Sequence, residues 1–119
     1  MRHILIMLLF LGNFEAFAED KIETRKLSTP ILIDVRTDSE WNDEYIETAI
    51  HIPLDKILQK IELITKNKDQ RIYLYCRSGN RSGKAADILI SIGYKDVINL
   101  GSVESAAEQL KRNIVKKDQ

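Results

Sequence analysis

The sequence predicts one α/β domain built on a mainly parallel sheet, on three observations. Short β-branched runs alternate with stretches of helical periodicity. Most of the helical stretches carry a capping signal at one end. A length of 119 residues suits one domain and not two. About four to five short strands are expected, flanked by helices.

Each element follows from its residues. Pro30 precedes Ile31-Leu32-Ile33-Asp34-Val35, an apolar run suited to a parallel strand buried on both faces. Thr37 with Glu40 forms a capping box and opens a short helix. Ala49-Ile50-His51-Ile52 reads as a second strand stopped by Pro53. Asp55 is placed to cap the next helix, whose apolar face is Ile57, Leu58, Ile61 and Ile64. Asn67-Lys68-Asp69 is a turn, and Ile72-Tyr73-Leu74-Tyr75 is the clearest strand. A glycine-bearing loop runs from Cys76 to Arg81, and a helix follows over 82–92, with Gly93 at its stop position. Val97-Ile98-Asn99-Leu100 is the last strand, a final helix covers 103–115, and the Lys-rich end frays.

The N-terminus carries a different signal. Met1-Arg2-His3 is positive, Ile4 to Leu11 is apolar with no polar face, and Ala16-Phe17-Ala18 is a small-x-small cleavage pattern. Residues 1–18 therefore read as a signal peptide cut before Glu19, residues 19–29 as a polar lead-in, and 19–119 as the mature domain. The apolar run is short for a membrane span. Glu15 keeps an uncleaved anchor as the alternative. Export to a periplasm or beyond is expected, with no stable membrane insertion after cleavage. Because Cys76 is the one cysteine, no lipid-bearing cysteine follows the apolar run, which excludes a bacterial-type lipoprotein.

Composition narrows the partners. Eighteen Lys and Arg balance 18 Asp and Glu, so nothing points to nucleic acid or an acidic membrane surface. His51 is the one histidine after the cut, and no metal-ligand cluster is present. Trp41, Tyr73, Tyr75 and His51 read as packing residues, and the Lys111-Arg112 and Lys116-Lys117 pairs as a solvated face.

A lone cysteine in an exported chain is either a small buried hydrophobe or a reactive thiol. Cys76 follows the strongest strand and lies just before a helix, where open α/β sheets bind ligands. The segment Arg77-Ser78-Gly79-Asn80-Arg81 is polar, with a glycine for tight curvature. Its N–H groups, the positive helix end and two arginines make an anion cradle that favours thiolate. Asp34 and Arg36 alternate onto one side of their strand near its carboxyl end. They form either a buried pair bracing the loop or, for Arg36, added positive potential.

These residues resemble a rhodanese domain. Ile33-Asp34-Val35-Arg36, Glu40 and Ala49-Ile50-His51-Ile52-Pro53-Leu54 are similar to the first signature of that family. Cys76-Arg77-Ser78-Gly79-Asn80-Arg81-Ser82 is similar to its active-site loop, and Gly93-Tyr94 with Val97-Ile98-Asn99-Leu100-Gly101 to its closing segment. A signal peptide on one minimal domain most resembles the periplasmic phage-shock-protein E type. The chain departs from the family pattern at Glu44-Tyr45-Ile46, where many members have Gly-His-Ile, and at Gly101-Ser102, where Gly-Gly is usual.

The resemblance implies a three-layer rhodanese fold and a sulfurtransferase. Its Cys76 would take a sulfane sulfur from thiosulfate or a related anionic donor as a persulfide and pass it to cyanide or a thiol. Loop residues Arg77 to Arg81 would hold donor and persulfide, with Arg81 either binding the donor or bracing the loop through a carboxylate. Asp34 and Ser82 would support the loop. No metal or organic cofactor and a monomer are expected. Arg81 stands five positions after Cys76, a C-x4-R loop one residue shorter than the C-x5-R of cysteine phosphatases. Competing readings are a sulfur-carrier or binding module, and a phosphatase or arsenate reductase on the same fold.

Overall fold

The computed structural model describes residues 29–117. The signal-peptide reading of 1–18 and nearly all of the lead-in lie outside those residues.

Four parallel strands form the central sheet in the order β3-β1-β4-β5. They are β1 (Ile31–Asp34), β3 (Ile50–His51), β4 (Arg71–Cys76) and β5 (Asp96–Ser102). Period-two alternation sorts their side chains between two cores. Ile33, Ile72, Leu74 and Cys76 face α2 (Ile57–Ile64) and α3 (Asn80–Ser91), packing on Ile57, Ile61, Ala85 and Leu89. Leu32 and Tyr75 face the other way, onto Val103, Ala106 and Ala107 of α4 (Val103–Leu110). Helices thus cover both faces, giving the three-layer α/β architecture expected.

The short helix α1 (Asp38–Asp43) carries the full capping box: Glu40 N–H donates to Thr37 Oγ1, and Thr37 N–H to Glu40 Oε1. α1 leads into β2 (Glu44–Ile46), which pairs antiparallel with β6 (Ile114–Lys116) in a small second sheet. This sheet corrects the sequence reading, which ran the last helix to residue 115. That helix ends at Leu110, where Lys111 turns left-handed at φ 55°, and Lys116 is held in a strand instead of fraying.

Three further expectations change. Asp55 caps nothing: Leu54–Lys56 forms a 3₁₀ turn, and α2 starts on Lys56 with no side-chain cap. Of the proposed apolar face, Ile57 and Ile61 are buried, whereas Leu58 and Ile64 are 57% and 40% exposed. The helix after the cysteine loop opens at Asn80, so Arg81 sits in its first turn.

Topology places the site. After β1 the chain leaves towards β3 on one side, and after β4 towards β5 on the other. The crevice between two such diverging connections lies at the carboxyl ends of β1 and β4. Asp34 and Cys76 are the last residues of those two strands.

Candidate active site

Cys76 is fully buried at the end of β4, with its sulfur turned into the following loop. Gly79 N–H donates to Sγ at 3.0 Å, and the hydroxyl of Ser82 lies 3.4 Å away. Burial alone pushes the thiol up. The hydroxyl of Ser82 and the backbone N–H groups of Ser82, Ser78 and Gly79 outweigh it, so the thiol is held below its ordinary value. Of the cradle expected from the sequence, the loop N–H groups at the start of the helix, joined by the Ser82 hydroxyl, do this lowering, and the two arginines are not among its main causes.

The loop takes this shape because of glycine. Gly79 has φ 93°, and a Cβ there would stand 3.3 Å from Gly101 Cα. Gly101, at φ 88°, sits where the β4–β5 register slips, with Leu74 opposite Asn99 but Cys76 opposite Ser102. Asn99, the last residue in register before the slip, reaches over the cysteine loop. Asn99 Nδ2 donates to Gly79 O at 2.9 Å, and its Oδ1 accepts from Gly101 N at 2.9 Å and from Ser82 Oγ at 2.7 Å.

The charged residues are largely engaged with one another. Asp34 and Arg36 form a buried pair, Arg36 Nη2 standing 2.7 Å from Asp34 Oδ2 and 2.6 Å from the carbonyl of Glu44. Arg36 is held charged: burial works against it, and the Asp34 carboxylate more than compensates. Arg81 points its fork at Glu40, with contacts of 2.6 and 3.0 Å. That guanidinium is the main cause holding the Glu40 carboxyl down at about 2. The same carboxylate closes the α1 capping box, so one residue ties α1 to α3.

A cleft of about 530 Å³ opens over the loop, lined by Arg36, Glu40, Asp43, Glu44, Arg77, Val103 and Glu104. Arg77 is exposed and makes no ion pair among the described residues. Ser78 and Asn80 are exposed beside it. A second cleft of about 490 Å³, more apolar, runs along Leu54, Leu58 and Ile88 to Arg81. Cys76 lines neither; its sulfur lies beneath the loop that separates Arg77 from Arg81.

Every candidate named from the sequence thus gathers at one edge of the sheet. Sequence reasoning missed Asn99, read only as a strand residue, and the role of Glu40 beyond its cap. The available signal for Asn99 was a polar residue inside Val97-Ile98-Asn99-Leu100, directly before a glycine. Among the described residues, no group of three or more His, Cys, Asp or Glu is placed to hold a metal ion. No helix among them is long and apolar enough to cross a membrane.

Trp41 belongs to neither core. It stacks between Tyr45 and His51, with ring centroids 4.3 and 4.9 Å away. His51 Nε2 lies 2.8 Å from the carbonyl of Arg36.

Comparison with known proteins agrees with this geometry. A family model described as a rhodanese-like domain matches residues 16–109. The chain is 35% identical over 75 residues to the thiosulfate sulfurtransferase PspE of Escherichia coli strain K12, covering 63% of this chain and 72% of that protein. It is 37% identical over 70 residues to a sulfurtransferase of Allochromatium vinosum, covering 59% of this chain and 64% of that one. It is 32% identical over 88 residues to the putative sulfur carrier protein YrkF of Bacillus subtilis, covering 74% of this chain but only 45% of that protein. A solved structure described as a rhodanese with anions from E. coli superposes with a TM-score of 0.68 at 32% identity, covering 74% of this chain and 99% of that one. A cysteine loop at the switch point of a parallel sheet, a three-layer fold and a matching family model agree: the chain belongs to the rhodanese-like domain family.

Proposed function

We propose that this protein is a sulfurtransferase that takes a sulfane sulfur from thiosulfate, or an anionic donor like it, and carries it as a persulfide on Cys76. The observation that carries this reading is the convergence of the Gly79 N–H and the Ser82 hydroxyl on a buried sulfur at a helix start. Such donors stabilise a thiolate, and the loop N–H groups then stabilise the charge of a persulfide.

In the first step the Cys76 thiolate attacks the outer sulfur of thiosulfate. A new S–S bond forms, the donor's S–S bond breaks, and its electron pair leaves with sulfite. In the second step cyanide or a thiolate attacks the outer sulfur of the persulfide, and the pair returns to Cys76 as thiolate. Arg77 attracts the anionic donor from the cleft. The shorter C-x4-R loop favours a single sulfur over a phosphate group, which sets this reading above a phosphatase or arsenate reductase. No cofactor is needed by either step. Residues 1–18 are read as a cleaved export signal and the mature protein as a monomer.

The test is thiosulfate:cyanide sulfurtransfer by residues 19–119, with Cys76→Ala and an aryl phosphate as controls. Intact mass after thiosulfate alone completes it. Thiocyanate formation lost in the variant, with a gain of one sulfur atom on the wild type, is expected. Absence of both overturns the reading. N-terminal sequencing of protein recovered after expression of the full chain tests cleavage before Glu19.

A second reading has its own observation. Asp43, Glu44 and Glu104 line the main cleft without an ion pair among the described residues, against one unpaired cation, Arg77. Such a rim favours passing sulfur to or from a protein partner over free dianionic thiosulfate. Slow thiosulfate turnover with fast transfer from a protein persulfide would support it.

A further inference from the structure

The hydroxyl of Ser82 has one proton and two neighbours that can accept it. Its Oγ lies 2.7 Å from Asn99 Oδ1 and 3.4 Å from Cys76 Sγ. Which neighbour receives the proton is decided by how Asn99 is oriented. Its Nδ2 faces the carbonyl of Gly79 and its Oδ1 faces the N–H of Gly101. Both partners are backbone groups of fixed polarity, and turning the amide over would set donor against donor and acceptor against acceptor. Oδ1 therefore faces Ser82. At 2.7 Å the serine proton lies between the two oxygens. The sulfur then meets a lone pair of Ser82, which suits a thiol that donates S–H. A bare thiolate needs the opposite polarity.

We propose that Ser82 is a two-position proton switch: its hydroxyl donates to Asn99 while Cys76 is a thiol or is loaded with sulfur, and turns to Cys76 Sγ whenever that sulfur is a bare thiolate. Asn99 is the positioning residue that sets the resting position. The loaded half of the cycle rests on the sulfur-transfer reading above; the thiol–thiolate half does not. In the persulfide the negative charge sits on the outer sulfur, and Sγ, now bonded on both sides, needs no strong donor. The Ser82 proton returns to Asn99, whose other two bonds fasten Gly79 to Gly101. When sulfur leaves, the electron pair returns to Sγ and the hydroxyl turns back. No proton enters or leaves the site in that exchange.

Two ion pairs also stand around the loop, Asp34–Arg36 at the end of β1 and Glu40–Arg81 between α1 and α3, with Arg77 beside Cys76 in the chain. Glu104 adds a charge from α4 across the cleft. All are unchanged in a double-mutant cycle on Ser82 and Asn99, so they cancel there. Asn99 is exposed, so its truncation opens no core cavity.

The experiment is the pH–rate profile of Cys76 alkylation by iodoacetamide in wild type, Ser82→Ala, Asn99→Ala and the double variant. Ser82→Ala is expected to raise the pH at which the thiolate appears, and Ser82→Thr to restore it. Asn99→Ala removes the rival acceptor only where Ser82 is present. It is expected to yield about threefold more thiolate, relative to its effect in the Ser82→Ala background. Equal effects in the two backgrounds overturn the switch. As a check needing no Asn99 variant, the Asn99 side-chain amide resonances of the wild type should move as Cys76 ionises, and stay still in Ser82→Ala. No movement in the wild type overturns it too. Coupling without sulfur loading would leave the switch standing and remove the transferase reading; loading without coupling would do the reverse.

Discussion

Two zones surround the sulfur, and they work by different physics. The inner zone is neutral: the N–H of Gly79, the hydroxyl of Ser82 and the amide of Asn99 that ties the glycine loops together. The outer zone is ionic, with Asp34–Arg36 and Glu40–Arg81 locking the elements that carry the loop. Neutral dipoles next to a sulfur stabilise charge without imposing one, so the sulfur can alternate between neutral and anionic forms. Full charges at the same distance would favour one state and resist the other. The fold accordingly keeps these ion pairs for bracing and leaves Arg77 without an ion pair in the cleft among the described residues.

The largest way to break this division is to unbalance the outer zone. Asp34→Ala leaves Arg36 buried without its counter-ion and is expected to cost about 3–5 kcal/mol by urea unfolding. Asp34→Ala combined with Arg36→Met should recover most of that loss. Next comes the inner zone. Gly79→Ala must hold an L-residue at φ 93° against Gly101 and is expected to lower sulfur transfer about a hundredfold and stability by about 2 kcal/mol. Cys76 should then become alkylated only at higher pH, because the N–H no longer reaches it.

Arg77→Ala separates the zones from the cleft. It should raise the KM for an anionic donor about tenfold and flatten its salt dependence, while unfolding stays within about 0.5 kcal/mol of wild type. The smallest effect is a pH dependence. The carboxyl of Glu40 falls from 4.5 to about 2 in the folded protein. A depressed carboxylate stabilises the fold fully above pH 4.5 and loses that contribution as pH falls towards 2. Thermal unfolding of wild type and Glu40→Gln from pH 6 to 2 should show a gap that closes across that window.

Much of this arrangement is legible in sequence, because it is written in short local patterns. The strand Ile31–Asp34, the Thr37–Glu40 box and the cysteine loop each depend on neighbours within a few residues. What escaped depends on distance. β2 and β6 are three residues each and pair across almost the whole domain, so neither shows a strand period by itself. The last helix stops at Lys111 in a left-handed turn with no glycine to announce it. Helix α2 meets the core through one narrow stripe, which leaves Leu58 and Ile64 outside. The partners of Arg81 and Asn99 lie 41 and about 20 positions away, and only folding brings them together.

The small sheet also bears on when the site comes into being. Arg36 is held from outside by the carbonyl of Glu44, the first residue of β2. β2 is fastened along its length by Ile114–Lys116, and the N–H of Lys117 reaches back to the carbonyl of Asp43. A nascent chain synthesised only as far as Leu110 already contains Cys76 and every loop residue, yet lacks the strand that secures this brace. The brace on Arg36 is therefore complete only once the chain has been synthesised beyond Lys116 and β6 has docked on β2.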